Sequence, residues 1–118
     1  MIYLVTKNRE GPIPDWMHII NFDESIDIMK AWPMVQFDTE TTGLDPHLCE
    51  LISLQFGYVD KDGNDTQVVV DCKAYGPELY KEFIEAKPLI GQNLKFDIEF
   101  LYNYNIIPRK VCDTMICE

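Results

Sequence analysis

Long apolar runs and paired cysteines are both missing from this sequence. The uninterrupted apolar stretches are only a few residues long, which excludes a membrane-spanning helix, and the opening MIYLVTKNRE becomes polar too early for a signal peptide. The 4 cysteines form no CxxC pair and lie far in sequence from the 2 histidines, which argues against a zinc site or a redox motif. We therefore expect a cytoplasmic protein with no membrane contact, whose cysteines are reduced and mostly buried.

Basic residues are also scarce. Lysine and arginine total 10 against 20 acidic residues, which gives a formal net charge of -10. A surface this negative repels phosphate backbones and excludes tight, unaided binding of nucleic acid. A polyanionic substrate would therefore need metal ions or a basic partner domain. Solubility accounts for most of the acidic residues, but not for those in the stretch FDTE at 37–40.

The composition is that of a folded protein. With 118 residues and 47% hydrophobic content, the chain can bury one sizeable core and has no room for a second. We treat residues 1–118 as one domain.

Strand and helix patterns alternate along the chain. The Asp-Gly pair in KDGN, between two strand-like runs, predicts a hairpin. Asn21 and Glu24 form a capping-box pattern for a helix that continues through Trp32 and ends at Pro33, after the GPIP stretch at 11–14 has broken the chain. This order predicts an α/β fold with a mixed sheet. The predicted strands are 2–6, 34–40, 50–59, 66–71, 88–92 and 111–117, and the other helices are 76–86 and 93–104, the last with Asn93 as its N-cap.

Two acidic residues stand at the end of the strand-like run MVQFDTE. Side chains alternate in a strand, so Asp38 and Glu40 point the same way, with Cα atoms about 6.5 Å apart. Like charges this close favour a bound divalent cation, and oxygen ligands without histidine or cysteine favour Mg²⁺ or Mn²⁺. A solvated strand end is the alternative for such a pair.

A third carboxylate lies in an otherwise apolar helix. Asp97 shares a face with Leu94 and Leu101, and burying it is unfavourable unless it is paired or close to a cation. Lys95 is too near in sequence to share that face. A solvent-facing helix edge is the alternative.

These motifs carry a resemblance. FDTETTGLDP followed by LIGQNLKFDIEFL resembles the first two motifs of the DEDD (DnaQ-like) 3′-5′ exonucleases, specifically the proofreading exonuclease domain of family A DNA polymerases, as in DNA polymerase I. The DTM at 113–115 is similar to a later segment of that family, where we expect a structural or capping role for Asp113. The resemblance covers roughly residues 33 to 116.

The resemblance implies a ribonuclease-H-like fold with two Mg²⁺ or Mn²⁺ ions at the end of the first motif strand. Asp38 would bridge the ions, Glu40 would bind the one on the nucleophile side, and Asp97 would hold the second largely through water. The reaction would be hydrolysis of the terminal phosphodiester of single-stranded DNA, with release of nucleoside 5′-monophosphates. By the same resemblance the substrate-binding residues would be Thr39, Thr41, Leu44, Gln92, Asn93 and Phe96.

Four of these six substrate-binding assignments have a structural alternative. Thr41 would also serve as a turn residue, Asn93 as a helix cap, and Leu44 and Phe96 as core residues.

The sequence departs from the family pattern after Asp97. The third motif, a tyrosine or histidine shortly before a fourth acid, does not occur before Glu118. We therefore expect a partial exonuclease domain, incomplete at its C-terminus, with a polymerase domain as a linked or separate partner and an exposed edge that favours a homodimer. An RNase D-like RNA exonuclease and a catalytically incomplete nucleic-acid or nucleotide-binding module are the alternative functions.

Overall fold

A mixed β-sheet runs through the chain in this computed structural model, which describes residues 1–7, 14–43, 45 and 48–113. The strands are β1 (Ile2–Val5), β2 (Met17–Ile20), β3 (Val35–Thr41), β4 (Leu51–Val59), β5 (Asp65–Asp71), β6 (Leu89–Gly91) and β7 (Val111–Asp113). They are arranged in the order β2-β1-β5-β4-β3-β6-β7. The helices are α1 (Phe22–Met29), α2 (Lys81–Ala86) and α3 (Leu94–Tyr102), and a 3₁₀ turn at Pro77–Tyr80 leads into α2.

The sheet contains two antiparallel pairs at its centre and parallel pairs on either side, which confirms the predicted mixed sheet. β4 pairs antiparallel with both β3 and β5, whereas β1 pairs parallel with β2 and β5, and β6 pairs parallel with β3 and β7. The predicted hairpin joins β4 to β5. Gly63 takes a positive φ of 86° in its turn, and the Asp60 carboxylate accepts hydrogen bonds from the backbone N–H groups of Asp62 and Asn64.

One face of the sheet carries the core. Phe37 of β3, Phe56 of β4 and Val68 of β5 are all buried there. Phe56 lies 5.5 Å, centroid to centroid, from both Tyr80 in the 3₁₀ turn and Phe83 in α2. α1, α2 and α3 each contribute buried side chains to this same hydrophobic cluster. The helices therefore cover the core face.

The opposite face of β3 is polar. Gln36, Asp38 and Glu40 are exposed, while Val35, Phe37 and Thr39 between them are buried. This strict alternation is what a strand with one solvated face requires. It leaves the side chains of Asp38 and Glu40 on the face opposite the core.

The first helix begins as predicted but ends earlier. The Asn21 side chain accepts from the Glu24 N–H and the Glu24 side chain accepts from the Asn21 N–H, which confirms the capping box. The prediction that the helix continues through Trp32 is wrong, because α1 ends at Met29. The Lys87 ammonium donates to the carbonyl oxygens of Lys30 and Trp32, and these bonds hold the chain in a non-helical turn.

Two further elements differ from the predictions. β2 at Met17–Ile20 was not predicted, since four residues that include His18 give too short an alternating pattern. The predicted helix 76–86 opens with the 3₁₀ turn, with Pro77 at its first position, before α2 begins at Lys81. Both strand-like and helical segments otherwise lie where the patterns placed them.

Some predictions fall outside the described residues. These are Leu44, residues 11–13 of the GPIP stretch, and residues 114–117 of the last predicted strand, of which 111–113 form β7.

Among the described residues, no helix has the length and apolar character needed to cross a membrane.

The cysteines are less buried than expected. Cys49, Cys72 and Cys112 form no disulfide and are half-buried. Burial, reinforced by the neighbouring Asp71 carboxylate, raises the pKa of Cys72 to about 12, so this thiol stays protonated and unreactive.

Gly91 is expected to tolerate no side chain. A Cβ atom at this position would lie 2.7 Å from the carbonyl oxygen of Phe37 and 2.9 Å from Leu94 Cδ2. The oxygen belongs to the backbone of β3 and cannot turn away, so Gly91→Ala should lower the free energy of unfolding by about 1–3 kcal/mol. Urea unfolding measures this loss. Gly63→Ala is a useful comparison, because its Cβ meets no atom within 4 Å and only the positive φ opposes the substitution. Equal stability of the wild type and Gly91→Ala would contradict the close approach of Gly91 to β3.

Candidate functional site

Asp38 and Glu40 stand side by side on the solvated face of β3. Asp38 is opposite Gln55 of β4 and Glu40 is opposite Ser53, and the register shifts directly after Glu40. The Asp38 carboxylate accepts a hydrogen bond of 2.8 Å from the Thr39 N–H. Both carboxylates are exposed, so they are open to a ligand that approaches the end of the strand.

Asp97 approaches the same strand from the core side. It is buried in α3, with 3% of its surface exposed, and Thr39 donates its hydroxyl hydrogen to Asp97 Oδ1. The prediction that Asp97 lies on a buried helix face is therefore confirmed, and the alternative of a solvent-facing helix edge is wrong.

The charges of the neighbouring acids act on the pKa of Asp97. The pKa of Asp97 is raised from 3.8 to about 6. Burial is the largest cause, the Thr39 hydrogen bond opposes it by lowering the pKa, and the nearby charges of Asp38, Asp113 and Glu40 also raise the pKa. A carboxylate that is buried among three others is unfavourable when ionised, and a cation would relieve that repulsion.

A carboxylate from β7 holds the start of α3. Asp113 Oδ1 accepts from the Asn93 N–H at 3.2 Å and Oδ2 accepts from the Leu94 N–H at 2.9 Å. These N–H groups have no partner inside the helix, and an anion at a helix N-terminus is stabilised by its dipole. The capping role expected for Asp113 is confirmed, and it sets the position of the helix that carries Asp97.

Asn93 was predicted to be the N-cap of α3, and the position is confirmed, but its side chain does not form the cap. Asn93 occupies the N-cap position in the left-handed conformation, with φ of 54°, and its side chain makes no capping hydrogen bond. In this conformation its N–H points to Asp113, so α3 is capped by a carboxylate of β7.

A polar groove of about 420 Å³ lies beside Asp38. Gln92, one of the predicted substrate-binding residues, lines it together with Asp38. Three further glutamines, Gln36, Gln55 and Gln67, line it as well, and sequence reasoning missed them. Alternation along β3 could have placed Gln36 beside Asp38, but Gln55 and Gln67 require the register between strands.

The other predicted substrate-binding residues are placed differently. The Thr39 hydroxyl is directed to Asp97, and the Thr41 hydroxyl donates to the Gly43 carbonyl oxygen at 2.7 Å. Phe96 is half-buried and packs on Phe100 with ring centroids 5.1 Å apart, while Asn93 is exposed. Contacts between these residues and a substrate stay predictions.

Asp38, Glu40 and Asp97 have the chemistry of divalent-cation ligands, but in this structure they do not converge on one point. Asp38, Glu40 and Asp97 offer only carboxylate oxygens, which suit Mg²⁺ or Mn²⁺. Within the described ranges, however, no group of three or more His, Cys, Asp or Glu side chains is close enough to hold one ion. Asp38 and Glu40 lie on the solvated face and Asp97 lies behind Thr39, so the pair on β3 is the part that is accessible.

The fold is that of known nucleases. Brucella melitensis NrnC, 21% identical, superimposes with a TM-score of 0.62 over 96% of this chain and 48% of its own. The Nibbler EXO domain of Aedes aegypti, 13% identical, gives a TM-score of 0.62 over 95% of this chain and 52% of its own. Another structure of NrnC, 19% identical with a TM-score of 0.60 over 96% of this chain and 48% of its own, contains bound Mg²⁺. The chain therefore has the ribonuclease-H-like fold of these exonucleases.

Sequence comparison is more specific. The family described as 3′-5′ exonuclease, of the DNA polymerase A type, matches residues 19–118. DNA polymerase I of Aquifex aeolicus is 36% identical over 95 residues, and that of Borreliella burgdorferi is 32% identical over 105 residues. These alignments cover 80% and 82% of this chain but only 15% and 12% of the two polymerases. The chain belongs to the 3′-5′ exonuclease family, a family of hydrolases.

Asp97→Asn is expected to raise the free energy of unfolding of the metal-free chain by about 1–3 kcal/mol near pH 7. Folding raises the pKa of Asp97 from 3.8 to about 6, so the folded chain binds the proton more tightly than the unfolded chain does. The stability that this proton provides is present below about pH 4 and is lost as the pH rises through about 6. The gain from asparagine should therefore be large at neutral pH and small near pH 4.

Urea unfolding with a chelator present, at about pH 4 and about pH 7.5, measures this difference. Asp62→Asn, at an exposed acid in the β4–β5 turn, is the matched control and should change little at either pH. Destabilisation by Asp97→Asn at neutral pH would mean that the ionised carboxylate is well compensated in the fold.

Proposed function

We propose that this chain is a metal-dependent 3′-5′ exonuclease module that removes nucleoside 5′-monophosphates from DNA 3′ ends. The observation that carries the proposal is the pair Asp38 and Glu40, exposed together where β3 loses its register with β4, with the Asp97 carboxylate coupled to them from α3. Membership of the 3′-5′ exonuclease family supports the reaction class.

The acids have distinct roles in this proposal. Asp38 and Glu40 would hold Mg²⁺ or Mn²⁺ from the solvated face, and Asp97 would contribute from the other side of the strand end, with Thr39 and Asp113 as residues that position it. Bound divalent ions supply activation of a water molecule and stabilisation of charge on the phosphate. Glutamine amides beside Asp38 would donate to and accept from the terminal nucleotide.

DNA is the proposed substrate because the curated relatives are DNA polymerases. RNA is the alternative substrate for this chain. A structure of NrnC, 19% identical with a TM-score of 0.61, contains bound pGG, but that ligand is known only for NrnC. The net charge of -10 opposes either polyanion. A basic partner or a polymerase domain, linked or separate, would bring the 3′ end to the acids.

A non-catalytic nucleic-acid or nucleotide-binding module is the second candidate. It is favoured by the separation of the three acids, which do not form one ligand cluster within the described residues. In that case the Asp38 and Glu40 pair would bind a single ion without hydrolysis.

The test is release of nucleoside 5′-monophosphates from 3′-labelled single strands of DNA and of RNA. Each strand is incubated with the chain and Mg²⁺, Mn²⁺ or EDTA, and the products are separated by chromatography. We expect metal-dependent release, faster from DNA. The Asp38→Ala chain, purified in the same way, controls for a contaminating nuclease.

The outcomes separate the candidates. Faster release from RNA would assign the alternative substrate. No release from either strand, with Mn²⁺ binding still detected by calorimetry, would support the binding module. Analytical ultracentrifugation of the same samples tests the predicted homodimer, and a monomer at high concentration would contradict it.

A further inference from the structure

A second groove, which shares no lining residue with the groove beside Asp38, lies between α1 and α2. Its volume is about 520 Å³, within the range of protein ligand sites. Phe22 and Ile26 of α1 and Phe83 of α2 form an apolar, half-buried floor. Leu79 stands at its edge with 48% of its surface exposed. Such a floor between two helices suits the apolar face of a third helix.

Carboxylates surround this floor. Asp23 and Asp27 line the groove from α1, and Glu82 lines it from α2; all three are exposed. Among the residues that the structure describes, its lining contains no lysine or arginine. The Lys30 ammonium lies 3.3 Å from Asp27, but both side chains are about 70% exposed, so this ion pair contributes little.

The charge of Asp27 is unfavourable for α1 itself. Asp23 and Asp27 are four residues apart and repel each other along one face. Asp27 is also in the last turn of α1, which has no basic residue, where a negative charge opposes the helix dipole. An unfavourable charge that only a weak, exposed ion pair compensates inside the fold is typical of a site that acts on something outside it.

We propose that the α1–α2 groove is a docking site for a basic amphipathic helix of a partner protein. Apolar side chains at helical spacing would enter the floor between Phe22, Ile26 and Phe83, and flanking lysine or arginine residues would meet Asp23, Asp27 and Glu82. Charge complementarity selects this occupant over the same groove of a second copy, because the carboxylates of two such grooves would repel each other.

Docking here would leave the exonuclease residues accessible. α1 and α2 cover the core face of the sheet, whereas Asp38 and Glu40 lie on the opposite face. A bound basic partner would also offset the charge that repels a polyanion.

The test uses a fluorescein-labelled peptide of about 15 residues, roughly four helical turns, with leucines on one face and lysines on both flanks. A matched peptide carries glutamate in place of every lysine. Fluorescence anisotropy at low and high salt measures binding to four chains: wild type, Asp23→Asn/Asp27→Asn/Glu82→Gln, Leu79→Ser, and the control Asp15→Asn/Glu50→Gln/Asp62→Asn. The control removes three exposed charges outside the groove.

We expect salt-sensitive binding of the lysine peptide alone, weakened roughly tenfold or more by the groove triple variant and by Leu79→Ser, and retained by the control triple variant. Equal weakening by both triple variants would show attraction to overall charge and would overturn the proposal. Absence of binding would overturn it, as would a peptide-free dimer that the groove triple variant dissociates, since the occupant would then be a second copy. Thermal unfolding confirms that all four chains fold.

Discussion

Asp38→Ala is expected to reduce release of nucleoside monophosphates by at least about a hundredfold while leaving the melting temperature nearly unchanged. The carboxylate is exposed on the solvated face of β3, and the hydrogen bond that it accepts is to the backbone N–H of its neighbour Thr39. Its removal therefore disturbs little packing. It does remove one of the two accessible carboxylates, so binding of Mn²⁺ should fall in parallel with activity.

Initial rates with Mn²⁺ and calorimetric titration of the same samples measure both effects. Asp62→Ala, at an exposed acid in the β4–β5 turn, changes the charge equally and should keep wild-type rates. If the wild type releases no nucleotide, loss of Mn²⁺ binding in Asp38→Ala still tests the site. Unchanged metal binding in that variant would contradict the assignment of Asp38 as a ligand.

Asp113→Ala is expected to lower the free energy of unfolding by about 2–4 kcal/mol, a shift in melting temperature on the order of 10 °C. Asp113 is buried, and its two oxygens accept from the N–H groups of Asn93 and Leu94. The variant leaves both donors without this carboxylate at the start of a helix, where no backbone carbonyl can replace it. It also detaches the end of β7 from the helix that carries Asp97.

Differential scanning calorimetry of Asp113→Ala and Asp113→Asn tests this account. Asparagine keeps the shape but not the charge, so its loss should be intermediate. Mn²⁺ affinity should also fall in Asp113→Ala, since Asp97 would no longer be held in position. A melting temperature equal to that of Asp62→Ala would show that the cap contributes nothing.

The carboxylate pair was predictable from the sequence because a strand has a fixed period of two. Once MVQFDTE is taken as a strand, Asp38 and Glu40 must share a face, and the structure exposes both. The burial of Asp97 was predictable in the same way, from the apolar residues around it at helical spacing.

What could not be predicted depends on contacts between residues distant in sequence. Sequence rules place the end of the first helix at Pro33, but α1 ends at Met29, and Lys87 donates to the Trp32 carbonyl, 55 positions earlier, in the turn that follows. The hydrogen bond from the Thr39 hydroxyl to Asp97 depends on how α3 packs against β3. Gln55 belongs beside Asp38 only because of the β3–β4 register. Local propensity carries no information about any of these pairings.

The position of β1 has a consequence for the order in which the chain folds. β1 lies between β2 and β5, and Thr6, just beyond β1, donates to the Asp71 carboxylate 65 positions later. During synthesis, β1 therefore cannot pair with β5 until the chain as far as Asp71 has left the ribosome. Closing such long loops is entropically unfavourable and slows folding. The β4–β5 hairpin, whose partners are close in sequence, can form first and present the edge on which β1 and β2 assemble.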